Sequence, residues 1–231
     1  MTPLLLLPGM MCDARLFGPQ VDALSAHHPI VTVPLNAHDT MEAMAREILS
    51  YAPPIFALAG LSLGGIVAME VLRQAPQRVE RLALLDTNPL SEAPERQANR
   101  GPQINDVKAG NLRRVMRDEM KPNYLTDGPN RQTILDLCMD MAMGLGPNVF
   151  ENQSLALRDR PDQTETLRAF KGPSLVLCGR DDALCPIERH ELMHALLSNS
   201  TLTVIENAGH MPTLENPTDT TAALARWLEA S

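Results

Sequence analysis

Aromatic residues and positive charge are both scarce in this sequence. Phe, Trp and Tyr together make up 3% of the 231 residues, which disfavours a large stacking site for aromatic polymers. Acidic residues number 28 against 20 basic ones, so the net charge is −8. Nucleic-acid-binding proteins depend on a basic surface that neutralises phosphates. We therefore expect no DNA or RNA partner.

Long apolar runs are also missing. The run Leu4–Leu7 ends at Pro8-Gly9, whereas about 20 consecutive apolar residues are needed to cross a bilayer. The first residues, Met1-Thr2-Pro3, lack the positive charge of a secretory signal. We expect a cytoplasmic protein with no membrane partner.

Cysteines are few, and none of them forms a CxxC pair. This spacing argues against a zinc knuckle or a redox dithiol and favours reduced, mostly buried thiols. A disulfide or reactive role stays open for Cys178 and Cys185, because they flank a candidate active-site loop. The four cysteines are Cys12, Cys138, Cys178 and Cys185.

The sequence does contain a regular alternation of short apolar runs and helical patterns. Helical patterns cover residues 16–26, 41–51 and 63–75. Such alternation predicts right-handed βαβ crossovers, and hence a mostly parallel sheet of about six strands with helices on both faces. The six apolar runs are Pro3–Leu7, Pro29–Leu35, Pro54–Leu61, Val79–Asp86, Ser174–Cys178 and Thr201–Glu206.

The alternation stops between residues 88 and 162, a segment here called the insert. It shows three helical patterns, Asp106–Met120, Arg131–Met143 and Pro147–Arg158, and no strand pattern. We predict a core domain formed by residues 1–87 and 163–231, with residues 88–162 as an inserted helical lid.

Two groups of side chains in the insert allow more than one interpretation. Methionines 139, 141 and 143 suit either core filling or a pliable wall of an acyl pocket. Arg113, Arg114 and Arg117 form a basic face that is either simply solvated or suited to an anionic substrate or acyl-carrier partner.

The first chemical motif is the pentapeptide Gly60-Leu61-Ser62-Leu63-Gly64, a GxSxG sequence between an apolar run and a helical pattern. In this context a serine occupies a sharp turn above the sheet, and the glycines permit the close strand-to-helix packing. The N-terminus of the following helix offers unpaired amide donors to a developing negative charge. Ser62 is therefore a candidate nucleophile.

A nucleophilic serine needs a base, and the base needs an acid that orients it. Asp182 lies in the loop after the run Ser174–Cys178, and His210 lies in the loop after Thr201–Glu206. Functional groups of open α/β sheets gather at the carboxyl ends of the strands. We expect Ser62, Asp182 and His210 to meet at one edge of the sheet.

Together these motifs resemble the α/β-hydrolase fold family, and within it the lidded serine esterases and acyl hydrolases. The resemblance covers nearly the whole chain. It implies that Ser62 is the nucleophile, His210 the base and Asp182 the acid, and that the backbone N–H groups of Met10 and Leu63 form the oxyanion hole. Met11 could replace Met10 as donor, because Pro8-Gly9 stands where the family commonly has His-Gly.

Two alternatives remain open at the site. Asp86 also ends a strand, and some relatives carry their acid at that position. His190-Glu191-Leu192-Met193-His194 matches the HExxH zinc motif, but its position suggests a crossover helix, and we predict a solvent-facing pair of histidines.

The expected activity is hydrolysis of a small or medium acyl ester, without a metal or organic cofactor, on a small-molecule substrate. The same three residues could also cleave another acyl-type bond, such as an enol-lactone, a thioester or a β-diketone C–C bond. A non-catalytic protein that senses a ligand in the same pocket is the alternative from a different class.

Overall fold

A computed structural model describes residues 1–230 as a six-stranded sheet with helices packed on both faces. The strand order is β2-β1-β3-β4-β5-β6, and every adjacent pair is parallel. The predicted sheet is therefore confirmed. The strands are β1 (Leu4–Leu7), β2 (Ile30–Thr32), β3 (Phe56–Leu61), β4 (Val79–Leu85), β5 (Ser174–Gly179) and β6 (Ser200–Ile205).

Ten α-helices accompany the strands in the described residues. They are α1 (Gly18–Leu24), α2 (Met41–Tyr51), α3 (Leu63–Gln74), α4 (Pro94–Asp106), α5 (Leu112–Arg114), α6 (Arg131–Arg158), α7 (Thr164–Ala169), α8 (Ile187–Leu196), α9 (Pro212–Glu215) and α10 (Pro217–Glu229). None of the described helices is both long enough and apolar enough to cross a membrane.

Strand β3 illustrates why the sheet lies at the centre of the molecule. All six of its residues are buried. Successive side chains of a strand point to opposite faces, and Leu58 accordingly belongs to one apolar cluster while Ala57 and Ala59 belong to the other. The first cluster includes the inner faces of α2 and α3, and the second includes those of α1 and α10. A strand that is covered on both faces of the sheet is apolar at successive positions. This explains the continuous apolar runs in the sequence.

The segment between β4 and β5 is helical, with two irregularities. The longest helix, α6, bends at Gly146, whose φ is +82°, directly before Pro147. This bend falls between the two helices expected over Arg131–Met143 and Pro147–Arg158. Between α4 and α5 the backbone winds into a wider helical turn that contains Gly110 at φ +96°.

Helix α4 is an element that the sequence patterns did not predict. It begins at Pro94, a favoured first residue of a helix, and ends at Asp106. Only Ile104 of this helix is buried. The sequence therefore lacks the apolar residues at helical spacing by which an amphipathic helix is recognised. Its place is set by tertiary contacts with the rest of the insert.

The methionines and arginines of the insert lie in different environments. Met141 is fully buried in the second apolar cluster, and Met139 and Met143 are partly buried and pack against the first cluster. Core filling therefore describes them. Arg114 forms ion pairs with Asp106 and Glu119, and Arg117 pairs with Asp118. Much of the basic face is thus neutralised by its own neighbours.

Candidate active site

Ser62 occupies the sharp turn between β3 and α3. Its φ of +54° and ψ of −115° lie outside the ordinary regions for a residue other than glycine. A Cβ on Gly64 would collide with the carbonyl oxygen of Leu7, and one on Gly60 would collide with the carbonyl of Gly64. The two glycines therefore allow α3 to start directly against β1 and β3, which holds the serine in its strained conformation.

His210 bridges Ser62 and Asp182. Its Nε2 atom lies 2.9 Å from Ser62 Oγ, and its Nδ1 atom lies 2.8 Å from Asp182 Oδ2. The side chains of His210 and Asp182 are 3% and 1% exposed, so this contact is shielded from water. The three residues that we expected at one edge of the sheet thus meet there, with His210 within hydrogen-bond distance of both Ser62 and Asp182.

The carboxylate of Asp182 is held in place by its own loop. Its Oδ1 atom accepts hydrogen bonds from the backbone N–H groups of Leu184, at 2.8 Å, and Cys185, at 3.0 Å. Burial by itself would raise the pKa of Asp182, but the His210 imidazole and these two N–H donors outweigh it and lower the pKa below its usual value. Asp182 is therefore a carboxylate at neutral pH.

Asp86, the alternative acid, lies behind this arrangement. Its Oδ1 atom accepts a hydrogen bond of 2.8 Å from the Gly179 N–H, and its Oδ2 atom has no hydrogen-bond partner among the described residues. Burial raises the pKa of Asp86 well above its usual value, and the nearby charge of Asp182 raises it further. Asp86 thus favours its neutral form beside an ionised neighbour, and the carboxylate that accepts the hydrogen bond from His210 is that of Asp182.

The two candidate oxyanion donors after β1 differ in their hydrogen bonds. The N–H of Met11 donates to Gln153 Oε1 at 2.8 Å, whereas the N–H of Met10 has no acceptor among the described residues. Leu63 is the first residue of α3, so its N–H lacks an intrahelical partner. Met10 and Leu63 are therefore the pair whose N–H groups are free to bind a substrate oxygen.

Gln153 is a residue that sequence reasoning missed. It is 1% exposed, and besides accepting from Met11 it donates from Nε2 to the Leu35 carbonyl at 2.6 Å. One side chain of α6 thus holds the turn after β1 and the segment after β2. No motif marks this glutamine, because its role depends on contacts with residues more than 100 positions away.

We expect Gln153→Ala to lower kcat roughly tenfold to a hundredfold, because the turn that carries Met10 loses its support and small displacements of catalytic groups are costly. The measurement is kcat and KM for p-nitrophenyl acetate, with Gln132→Ala on the exposed side of α6 as control. An unchanged kcat together with lower stability would mean that Gln153 only attaches the insert to the core.

Glu215 and Tyr124 hold the loop that carries His210. Glu215 Oε2 accepts from the N–H groups of Gly209, at 2.9 Å, and Met211, at 3.0 Å, while its Oε1 accepts from the Thr126 N–H at 2.8 Å. The N–H of His210 itself donates to the Tyr124 carbonyl at 2.7 Å. Because Tyr124 and Thr126 belong to the insert, the insert and the histidine loop are fastened to each other.

The prediction of a solvent-facing histidine pair was wrong for His190. Its side chain is fully buried, and its Nε2 atom accepts a hydrogen bond of 3.2 Å from the Thr87 N–H. His194 lies at the surface with Nδ1 2.8 Å from Ser200 Oγ. The two rings have separate partners, which leaves the HExxH pattern a coincidence of sequence. Helix α8 packs His190 inward because it crosses behind the loop after β4.

Burial lowers the pKa of His190 to about 4 from 6.5. Between these values the unfolded chain binds a proton at this position and the folded chain does not, so stability falls as the pH falls through this window. The difference corresponds to about 3 kcal/mol. We expect the wild-type protein to lose unfolding free energy between pH 7 and pH 4, and the His190→Gln protein to lose less. Urea denaturation at the two pH values measures this difference. His194→Gln, at the surface, is the control, and equal pH dependence in wild type and His190→Gln would contradict the assignment.

The cysteines are free thiols. Burial raises the pKa of Cys178 to about 12 and that of Cys185 well above its usual range, and the nearby charge of Asp182 adds to both shifts. Asp182, Cys185 and His210 also form a group whose ligand atoms all lie within 4.8 Å of one another. Since the thiolate is the form that binds metals, a protonated Cys185 is a poor ligand, and the other two residues are engaged with each other.

A small cavity lies between this site and the insert. Its volume is about 110 Å³. The lining side chains come from the core and from the insert: Met10, Ser62, Ile66, Thr87, Asn88, Arg96, Arg100, Met120, Tyr124, Leu157, Arg160, Leu184, Cys185, His210 and Met211, with Gly9. A substrate bound here would contact both parts of the chain.

The molecule combines a parallel sheet with a serine in a strained strand-to-helix turn. This serine contacts a histidine, which in turn contacts an aspartate, and both follow later strands. Together these features define an α/β-fold hydrolase. Residues 4–224 match the sequence model described as the alpha/beta hydrolase family, and the chain belongs to this family. The predicted resemblance and enzyme class are therefore confirmed.

Relatives of known name support this placement. The chain is 27% identical to a pimeloyl-(acyl-carrier protein) methyl ester esterase of Klebsiella pneumoniae, over 93% of this chain and 88% of that protein. Among solved structures, an esterase from Thermogutta terrifontis with malate bound superposes with a TM-score of 0.90 at 28% identity, over 99% of this chain and 90% of that one. An enol-lactonase from Burkholderia xenovorans, at 19% identity, a TM-score of 0.87 and coverage of 99% and 92%, shares the fold.

Proposed function

We propose that the protein hydrolyses small carboxylic esters through an acyl-enzyme on Ser62. The observation that carries the proposal is the continuous contact from Ser62 Oγ through the His210 ring to Asp182. A serine hydroxyl is a weak nucleophile by itself, and a neighbouring imidazole activates it. The esterase names of relatives at 27% and 28% identity support an ester as the bond that is cleaved.

In the first half-reaction Ser62 Oγ attacks the ester carbonyl carbon while His210 Nε2 takes its proton. The carbonyl oxygen becomes an oxyanion, which the N–H groups of Met10 and Leu63 stabilise. When the carbon–oxygen bond of the leaving alcohol breaks, His210 returns the proton to that alcohol. Asp182 keeps the imidazole in the correct tautomer and stabilises the imidazolium.

In the second half-reaction water takes the place of the alcohol. His210 removes a proton from water, the resulting hydroxide attacks the acyl carbon, and Ser62 leaves with the proton that His210 donates. The products are a carboxylic acid and the original enzyme. The buried setting of His210 and Asp182 strengthens each of these interactions, because few water molecules compete for the charges.

The cavity favours short acyl groups, with residues 88–162 as a lid over it. A cavity of about 150 Å³ is known to hold a molecule of benzene, and the one beside Ser62 is smaller, at about 110 Å³. The insert contributes Met120, Tyr124 and Leu157 to its wall. A longer acyl chain requires displacement of such residues.

Hydrolysis of p-nitrophenyl esters from acetate to decanoate tests the proposal, together with labelling by a fluorophosphonate probe. We expect the highest kcat/KM from acetate to butyrate, one label per chain on Ser62, and no effect of EDTA. Labelling without turnover of any ester would favour another acyl-type bond. Tight ligand binding without labelling or turnover would favour a ligand sensor, and activity lost to EDTA would overturn the serine mechanism.

A further inference from the structure

Three arginines line the cavity that contains Ser62. They are Arg96 and Arg100, from α4, and Arg160, which follows α6. None of the described residues that line this cavity is Asp or Glu. A chain with a net charge of −8 has thus concentrated positive charge at one small place, where Arg96 is exposed but Arg100 and Arg160 are largely buried. Low-dielectric walls strengthen the local field around the two buried arginines.

The protein itself neutralises only part of this charge. One buried carboxylate, Glu92, contacts both Arg100 at 2.9 Å and Arg160 at 3.3 Å. Arg160 also donates from Nε to the Leu90 carbonyl at 3.0 Å, and Arg96 donates to the Leu184 carbonyl at 3.3 Å. Carbonyl groups accept hydrogen bonds without cancelling a charge, so the three guanidinium groups share one carboxylate partner, which contacts two of them.

Arg100 has a donor without an acceptor. Its Nε atom is buried and has no hydrogen-bond partner among the described residues, while its other nitrogens contact Glu92 and the Met10 sulfur. The arginine side chain is 12% exposed. A buried N–H of a charged group that lacks a partner is costly, so the protein alone satisfies the Arg100 guanidinium incompletely.

Arg160 lies in an electrostatically unfavourable environment. Its side chain is 7% exposed, and burial lowers the pKa of its guanidinium below the usual value. The positive charges of Arg100 and Arg96 lower it further, against the opposing effect of Glu92. Arginine stays protonated in proteins all the same, so an anion that enters the cavity relieves the repulsion.

We propose that Arg100, with Arg96 and Arg160, forms an anion-binding subsite beside Ser62, and that the preferred substrates are half-esters of short dicarboxylic acids. This inference rests on the proposed esterase function. The free carboxylate binds the guanidinium groups through charge-assisted hydrogen bonds, which places the ester at the other end of the molecule against Ser62. The small cavity restricts the chain between the two carboxyl groups to a few carbons.

Monomethyl succinate and dimethyl succinate test the subsite, because they differ in charge and share the acyl chain. We expect wild-type kcat/KM to be at least about tenfold higher for the monoanion, since a hydrogen bond to a charged group contributes roughly a tenfold to hundredfold gain. Arg100→Gln removes most of this preference. Arg113→Gln, an exposed arginine outside the cavity, leaves the ratio of the two kcat/KM values unchanged.

Inhibition of the wild-type enzyme provides a test that does not depend on the folding of a variant. Succinate should inhibit hydrolysis of p-nitrophenyl acetate competitively, and succinamide should not at equal concentration. Equally strong inhibition by inorganic phosphate would contradict a subsite shaped for carboxylates.

Equal kcat/KM for the two succinates, or an equal loss for both in Arg100→Gln, would overturn the subsite while leaving the esterase intact. Failure to hydrolyse p-nitrophenyl acetate and both succinates would instead overturn the proposed function.

Discussion

We expect alanine in place of Ser62 to lower kcat for p-nitrophenyl acetate by roughly 10⁶-fold, the size of loss found when a triad serine is removed. We expect a large effect because the substitution deletes the atom that forms the acyl-enzyme in the proposed mechanism, while His210 and Asp182 lose the hydroxyl whose proton His210 would take. The remaining N–H groups of Met10 and Leu63 can still bind the carbonyl oxygen, so a small residual rate above that of water is expected.

The fold should survive this substitution, which makes the result interpretable. Serine and alanine bear similar strain at a φ of +54°, because the strain comes from the Cβ that both residues carry. Thermal unfolding should change by no more than a few degrees, and fluorophosphonate labelling should disappear. Ser50→Ala, on the exposed side of α2, is the matched control. Persistent labelling of the Ser62→Ala protein would show that Ser62 is not the nucleophile.

Asp182→Asn is expected to lower kcat by about 10⁴-fold, because an amide in place of the carboxylate stabilises the wrong imidazole tautomer. Asp86→Asn should cost less than about threefold, since an asparagine imitates the neutral acid that burial and the adjacent Asp182 charge maintain there. Its Oδ1 can still accept from the Gly179 N–H, and its amide can face Asp182.

The contrast between these two variants decides which residue is the acid. The measurement is kcat for p-nitrophenyl acetate at pH 7 to 8, with circular dichroism to verify that both proteins are folded. A loss confined to Asp86→Asn would transfer the role to Asp86 and make Asp182 a loop residue. Equal losses would mean that the two carboxyl groups work as one unit.

The turn that carries Ser62 and the strands that precede Asp182 and His210 could be predicted, because short sequence patterns specify them. Gly60 and Gly64 mark a close strand-to-helix turn, and the apolar runs before Asp182 and His210 mark buried parallel strands. Each signal arises within a few consecutive residues, and strand topology alone brings the three loops together.

Other features could not be read from local patterns. Helix α4 is polar on nearly every side, so its periodicity carries no signal, and His190 faces inward because of how α8 crosses the sheet. The choice between Met10 and Met11 depends on Gln153, which lies in a distant helix. Such features are determined by contacts between segments far apart in sequence.

The fastening of the insert to the histidine loop has a consequence for how this enzyme could be redesigned. A helical segment transplanted from a relative would have to bring an acceptor where Tyr124 receives the His210 N–H and a bridging amide where Gln153 lies. Without these two groups the transplanted segment would cover the cavity, but the His210 loop and the turn after β1 would lose their support and the activity would fall. Met120 and Leu157 line the cavity and take no part in those anchors, so we expect substitutions there to change the substrate range at little catalytic cost.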